Sequence, residues 1–170
     1  MIDKITYSNE ASGSFVGTMS YKVLFSPEGP MDIVDTMAKI RSHGLSKLVH
    51  LMGDFSKLDQ DELFTMTKTL KDWGYVQMVT CNGKTYFPWF VHVNYIIVST
   101  TEVWAGFDVH EFRWNNPEAD PLLPSNADRN NLFISGRPEA VLAFIKKHAK
   151  DRPNPWRMLL VTRSYEEEVK

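Results

Sequence analysis

The chain has 170 residues, a formal net charge of −2, and 43% hydrophobic against 24% charged residues. This is the profile of one soluble globular domain with enough chain to bury a core. The near-neutral balance gives no electrostatic ground for tight nucleic-acid binding, which needs a clustered basic face. One cysteine, Cys81, excludes an internal disulfide and any cysteine-built cluster within one chain. MIDKITYSNEASGS lacks the apolar core of a secretory signal, and no apolar run approaches the ~20 residues that cross a bilayer. The expectation is a cytoplasmic protein without membrane contact.

Residues 8–14 (SNEASGS) read as a flexible polar lead-in, so about 1–14 are expected to fray. Within 15–25 a strand is marked by Tyr21, Val23 and Phe25 alternating against Lys22 and Leu24, and SPEGP at 26–30 is a turn. Met31, Val34, Met37, Ala38 and Ile40 form a helical stripe that Gly44 terminates. LVHLM (48–52) is short, apolar and bounded by turns, as a buried parallel strand should be. Asp59 with Glu62 is a capping-box pattern, which starts a helix near Gln60 with Leu63, Met66, Leu70 and Trp73 inward. YVQMVT (75–80) and VNYIIV (93–98) are the next strands.

Further on, HEFRW (110–114) and LFI (132–134) read as strands separated by a long turn-rich loop, 115–131, of the kind that is functional or mobile. Pro138 opens a helix, RMLLVT (157–162) is a last strand, and the charged tail from about 164 is expected to fray. Helical connections of this length suit parallel strands. The fold class expected is one α/β domain over 1–170, with a mainly parallel sheet, helices, and 48–52, 75–80 and 93–98 as neighbours.

Three strand ends carry small polar residues: Gly53-Asp54, Cys81-Asn82-Gly83 and Ser99-Thr100-Thr101. In a parallel sheet they share one rim, where α/β proteins bind ligands. Gly53, Asp54, Asn82, Gly83, Ser99 and Thr100 are therefore the candidate ligand-binding residues. The competing meaning is plain turn chemistry, since Asn-Gly and Gly-Asp are favoured turn pairs. His50 sits inside an apolar strand and reads as a satisfied core histidine facing a barrel interior. The other histidines are scattered, and neither metal-ligand spacing nor a G-x-S-x-G elbow, P-loop or strand-linked GxGxxG is present. Cys81 reads as a plain buried thiol. Lys146, Lys147, Lys150 and Arg152 read as a solvated helix face.

The stretch YFPWF is unusually aromatic for a connection, and Trp104, Phe107, Phe112 and Trp114 follow it. It is either a flap over the core or a contact surface, and the aromatic anchors favour the surface. Tyr86, Phe87, Trp89 and Phe90 are the candidate partner-binding residues, serving a protein partner or a second copy in a homo-oligomer.

The run KLVHLMGDFSKLDQDELFTMTKTLKDWGYVQMVTCNGK, followed by VNYIIVST, resembles the radical S-adenosylmethionine superfamily, with 7-carboxy-7-deazaguanine synthase as the nearest branch. That family reads strand-GGEP-helix-Gly-Tyr-strand-TNG-strand-VSPK. Met52 to Phe55 stand at GGEP, Cys81 to Gly83 at TNG, and Val98 to Thr100 at VSP. The resemblance spans about 31–101, and 137–162 is compatible with a later helix-strand unit. It implies a truncated, partial (β/α) barrel. The family's CxxxCxxC loop, whose three thiolates hold a [4Fe-4S] cluster, is missing, and GGEP has become MGDF.

The resemblance thus implies a pseudoenzyme with no iron-sulfur cluster and no reductive chemistry. It would bind a small molecule at the rim, with S-adenosylmethionine or a deazapurine-like compound as the implied ligand, or else a protein partner. Such a stripped-down copy would suit a phage or mobile element. The alternative is an enzyme of cluster-independent chemistry with Asp54 as its acid or base, Asn82 and Ser99 orienting the substrate.

Overall fold

The computed structural model of the chain describes residues 2–10, 13–102, 107, 109–121, 131–149, 156–159 and 166–169. Their strands are β1 (Ile2–Asn9), β2 (Met19–Phe25), β3 (Leu48–Gly53), β4 (Val76–Cys81), β5 (Tyr95–Thr100), β6 (Glu111–Trp114), β7 (Leu132–Ile134), β8 (Trp156–Met158) and β9 (Glu166–Glu168). The helices are α1 (Ile33–His43), α2 (Gln60–Asp72) and α3 (Pro138–His148). All nine strands join one open sheet in the order β8-β7-β6-β5-β4-β3-β2-β1-β9.

From β2 to β8 every neighbouring pair is parallel and follows chain order. The crossovers therefore always step the same way across the sheet, and right-handed connections then leave the helices on one face. One apolar cluster joins Ile40 of α1, Leu63, Met66 and Leu70 of α2, and Val141 and Phe144 of α3 to Val49, Leu51, Val79, Val98, Phe112 and Ile134 of the strands.

Local chemistry explains where the helices start. Asp32 accepts from the Asp35 amide to open α1, and Asp59 accepts from the Asp61 and Glu62 amides to open α2, satisfying amides that have no partner within the helix. Gly44, at φ 66°, ends α1 in the left-handed conformation. The α2 stripe behaves as its spacing predicts, with Leu63, Met66 and Leu70 buried. The α1 stripe does so in part: Ile40 is buried and Met31 and Met37 pack against the core, whereas Val34 is 70% exposed and Thr36 is buried in its stead.

The two ends correct the expectation of fraying. Residues 2–9 form a strand inside the sheet, antiparallel to both β2 and β9, with Ile2 and Ile5 almost fully buried. A register shift between Ile2 and Lys4 breaks the alternation that would have marked it in the sequence. At the other end Glu166–Glu168 pairs along β1, anchored by the buried Val169 and by Lys4 Nζ at 2.7 Å from Glu166 Oε1. A charged edge strand is read from sequence as a tail because backbone pairing to its neighbour leaves no apolar alternation in the sequence.

The sheet is not closed into a barrel, and its antiparallel β1 and β9 extend it beyond the parallel run. The expected strand at 110–114 appears as β6 and Pro138 does open α3. Residues 122–130, 160–162, Trp104, Lys150 and Arg152, which figure in the expectations, lie outside the described residues.

Candidate functional site

Alternation along the strands gives the sheet a second face, away from the helices. It carries Ser8 and Glu10 past the middle of β1, Ser20 and Lys22 on β2, Leu48, His50 and Met52 on β3, Met78 and Thr80 on β4, Ile97 and Ser99 on β5, and Glu111 and Arg113 on β6. The lower half of this face is apolar and buried. Leu48, Met78 and Ile97 make a small cluster under Phe15, which stacks edge-on against Tyr95 at 4.7 Å. The short Gly13–Phe15 turn that carries Phe15 is tied down by the Ser14 amide donating to Glu111 Oε2 at 3.0 Å.

Charges are buried beside this plug, each with partners. His50 Nδ1 lies 3.1 Å from both carboxylate oxygens of Glu10, and His50 Nε2 lies 2.8 Å from Thr80 Oγ1. The Ser20 hydroxyl donates to the same Glu10 carboxylate. Burial alone would push the Glu10 carboxyl up. The hydrogen bond and charge of His50, the Ser20 hydroxyl and the Lys22 ammonium together outweigh it and hold Glu10 below its ordinary value. Arg113 Nε donates to Glu111 Oε1, whose side chain is fully buried.

Above these groups, at the carboxyl ends of β3, β4 and β5, the face opens into a groove of about 530 Å³ lined by Leu24, Met52, Gly53, Asp54, Thr80, Cys81, Asn82 and Ser99. Three of the strand ends singled out in the sequence therefore meet: Gly53, Asp54, Asn82 and Ser99 share one wall. Ser99 also receives a hydrogen bond from Asn115 Nδ2 at 2.9 Å, and Asn115 Oδ1 accepts from the Ser135 hydroxyl at 2.6 Å. Gly83 does not line the groove. Thr100 is turned to the other face, where its hydroxyl donates to the Glu102 carbonyl and accepts from the Glu102 amide.

Local geometry gives several of these residues a structural reason. Gly53 has φ +129°, and a Cβ there would stand 2.2 Å from the Phe25 carbonyl oxygen; β2 requires the glycine whether or not a ligand does. Asp54 Oδ1 accepts from the Ser56 hydroxyl at 2.6 Å and the Ser56 amide at 3.1 Å, which lowers its pKa and caps the Phe55–Lys57 turn. Asn82 Oδ1 accepts from the Lys84 amide at 3.0 Å. The turn chemistry is real at all three, and it leaves Asp54 Oδ2 and Asn82 Nδ2 as their further polar atoms.

The aromatic connection is a correction. Trp89 is fully buried and Phe90 nearly so. Trp89 Nε1 donates to Gln60 Oε1 at 3.0 Å, and its ring meets Phe55, Phe87 and Phe90 at 5.1, 5.8 and 4.6 Å. The segment lies where a βα unit would place a helix, and its rings cover the sheet instead. Tyr86 is 47% exposed and Phe87 half-buried, so of the four residues assigned to a partner surface only Tyr86 stands in solvent.

Cys81 belongs to the same core, and burial pushes its thiol up to about 11, partly opposed by a hydrogen bond from the Gly83 backbone. Among the described residues no group of three metal-ligating side chains occurs, and no helix is long and apolar enough to cross a membrane. The polar residues of this face that the sequence did not single out are Glu10, Lys22, Glu111 and Arg113. Glu10 lay in a segment read as a turn; the others are single polar residues at strand positions whose facing neighbour only the sheet order supplies.

No protein-family model matches the chain, and a search of the curated proteins found none similar to it.

Proposed function

We propose that the protein binds a small polar molecule in the groove at the carboxyl ends of β3, β4 and β5, on a partial (β/α) barrel of radical-SAM type that has lost its cluster. One observation carries the reading: residues from three separate strand ends, chosen for their chemistry, line a single opening on the helix-free face. Its volume falls in the range of small-molecule sites, and ligands in open parallel sheets sit outside the carboxyl ends of the strands. The unbroken chain-order run from β2 to β8 is the connectivity of a barrel wound in one direction, which favours the partial-barrel reading over a doubly wound sheet. Leu24 and Met52 offer an apolar wall; Asp54, Asn82, Thr80 and Ser99 offer polar atoms for orientation.

The family resemblance nominates S-adenosylmethionine and 7-carboxy-7-deazaguanine as first ligands. Calorimetric titration should give saturable heat with one of them and none after Ser99→Trp, which fills the groove, at an unchanged melting temperature. No saturable heat from either compound overturns the ligand assignment. Anaerobic reconstitution with iron and sulfide should leave no stoichiometric iron, since Cys81 is the chain's one cysteine; four irons per chain would overturn the cluster-less reading. An enzyme built on Asp54 is less favoured, because one of its carboxylate oxygens is committed to the Ser56 turn.

A further inference from the structure

A carboxylate, an imidazole and a hydroxyl stand in one hydrogen-bonded line on the helix-free face: Glu10 just past β1, His50 on β3 and Thr80 on β4. An ionised carboxylate only accepts, so His50 Nδ1 carries a proton toward Glu10. When the ring is neutral Nε2 is a lone pair, and the Thr80 hydroxyl at 2.8 Å is placed to donate to it. Glu10 and His50 are 4% and 3% exposed, whereas Thr80 is half-buried and lines the groove. The line is buried at its carboxylate end and opens at its hydroxyl end. A core histidine needs a partner for each nitrogen, but it does not need the strong acceptor inside and a hydroxyl oxygen at the mouth of a ligand-sized groove.

We propose that Thr80 is a nucleophile activated by His50 and Glu10, and that the groove cleaves small aliphatic acyl esters. Thr80 Oγ1 bonds to the acyl carbon as its proton passes to His50 Nε2. The ester C–O bond then breaks, and the leaving alkoxide takes that proton. Water attacks the Thr80 ester, gives its proton to His50 Nε2, and the carboxylic acid departs as Thr80 regains its hydrogen. Glu10 holds the ring in the required tautomer and stabilises the transient imidazolium. Asn82 shares the groove wall, and its Nδ2 is a donor of the type that stabilises the developing oxyanion. Leu24 and Met52 form the apolar wall for the acyl chain.

The inference rests on the groove being a ligand site, and the test lets the two fail separately. The full chain is incubated with an alkyl fluorophosphonate, and adducts are located by intact mass and peptide mapping. One adduct is expected, on Thr80, absent from Thr80→Val, restored in Thr80→Ser, and formed more slowly by on the order of 10²-fold in His50→Gln and Glu10→Gln. Thermal melts identify which variants keep the native fold. No adduct on Thr80 in the wild type overturns the proposal. So does an undiminished labelling rate in a natively melting His50→Gln. S-adenosylmethionine binding, read by calorimetry on the wild type, reports on the groove alone: saturable heat without labelling removes the nucleophile and leaves the ligand site.

Discussion

The two faces of the sheet are made by alternate residues of the same strands, yet they follow different rules. On β3 and β4 the helix-side residues are Val49, Leu51, Val79 and Cys81, all buried in one apolar cluster. The residues between them are His50, Met52, Met78 and Thr80, and they meet Glu10, Phe15 and an open groove. The helix side is filled by any side chain of suitable volume, so apolar burial decides it. Among the described residues the other side has only the short Gly13–Phe15 turn over it, so each buried charge there must find a fixed partner. Stability and candidate chemistry are thus separated by a single residue step along each strand.

The hardest test of that separation is Trp89→Ala on the helix side. Truncating a fully buried, hydrogen-bonded aromatic should cost about 3–5 kcal/mol in urea unfolding. A loss below ~1 kcal/mol would mean the aromatic segment is not part of the core. Next is Gly53→Ala, at the edge between the faces. Its left-handed φ alone should cost roughly 1–3 kcal/mol, and the Cβ must also displace the Phe25 carbonyl. A near-native melt would show that β2 and β3 separate easily there.

On the helix-free side Glu10→Gln keeps the shape and removes the charge, with an expected cost of about 1–3 kcal/mol at neutral pH. Its signature is in the pH dependence. The folded carboxyl titrates below its ordinary value near 4.5, so the unfolded chain takes up the proton first. Glu10 therefore stabilises the fold above that value and loses its contribution as pH falls through the folded pKa. Denaturant unfolding between about pH 3 and 7 should show a shallower acid limb in the variant. Equal limbs would mean that the Glu10–His50 pair does not form in solution.

Two small effects sharpen the contrast. Asp54→Asn should shift stability by under ~0.5 kcal/mol, as a surface change that retains a turn-capping oxygen. The Cys81 thiol, with its pKa near 11, should resist a disulfide reagent at neutral pH and react once urea unfolds the chain. Rapid native labelling would mean that the thiol opens to solvent from the groove it also lines.

Much of the helix-covered half was legible. The Asp59 cap, the Leu63-Met66-Leu70 stripe and the short apolar runs 48–52 and 132–134 are local signals, set by hydrogen bonds and periodicity within a few residues. The strand-end residues Gly53, Asp54, Asn82 and Ser99 were legible too, because parallel strands bring their ends to one rim. The exposure of Val34 and the burial of Trp89 were not. Whether an apolar side chain is covered depends on which element lies over it, and here a 3-10 turn occupies the place of a helix.

By itself, then, the sequence determined an α/β chain with a mainly parallel sheet, and it placed small polar residues at the strand ends. The tertiary structure alone decided that IDKITYSN is an inner strand, that three glutamates complete an edge, and that Glu10 reaches His50 forty residues away. The physical reason is the range of the forces involved. Caps and amphipathic stripes are settled within one or two turns of chain, whereas strand pairing and buried charge partners are fixed by contacts between segments whose separation in sequence carries no local mark.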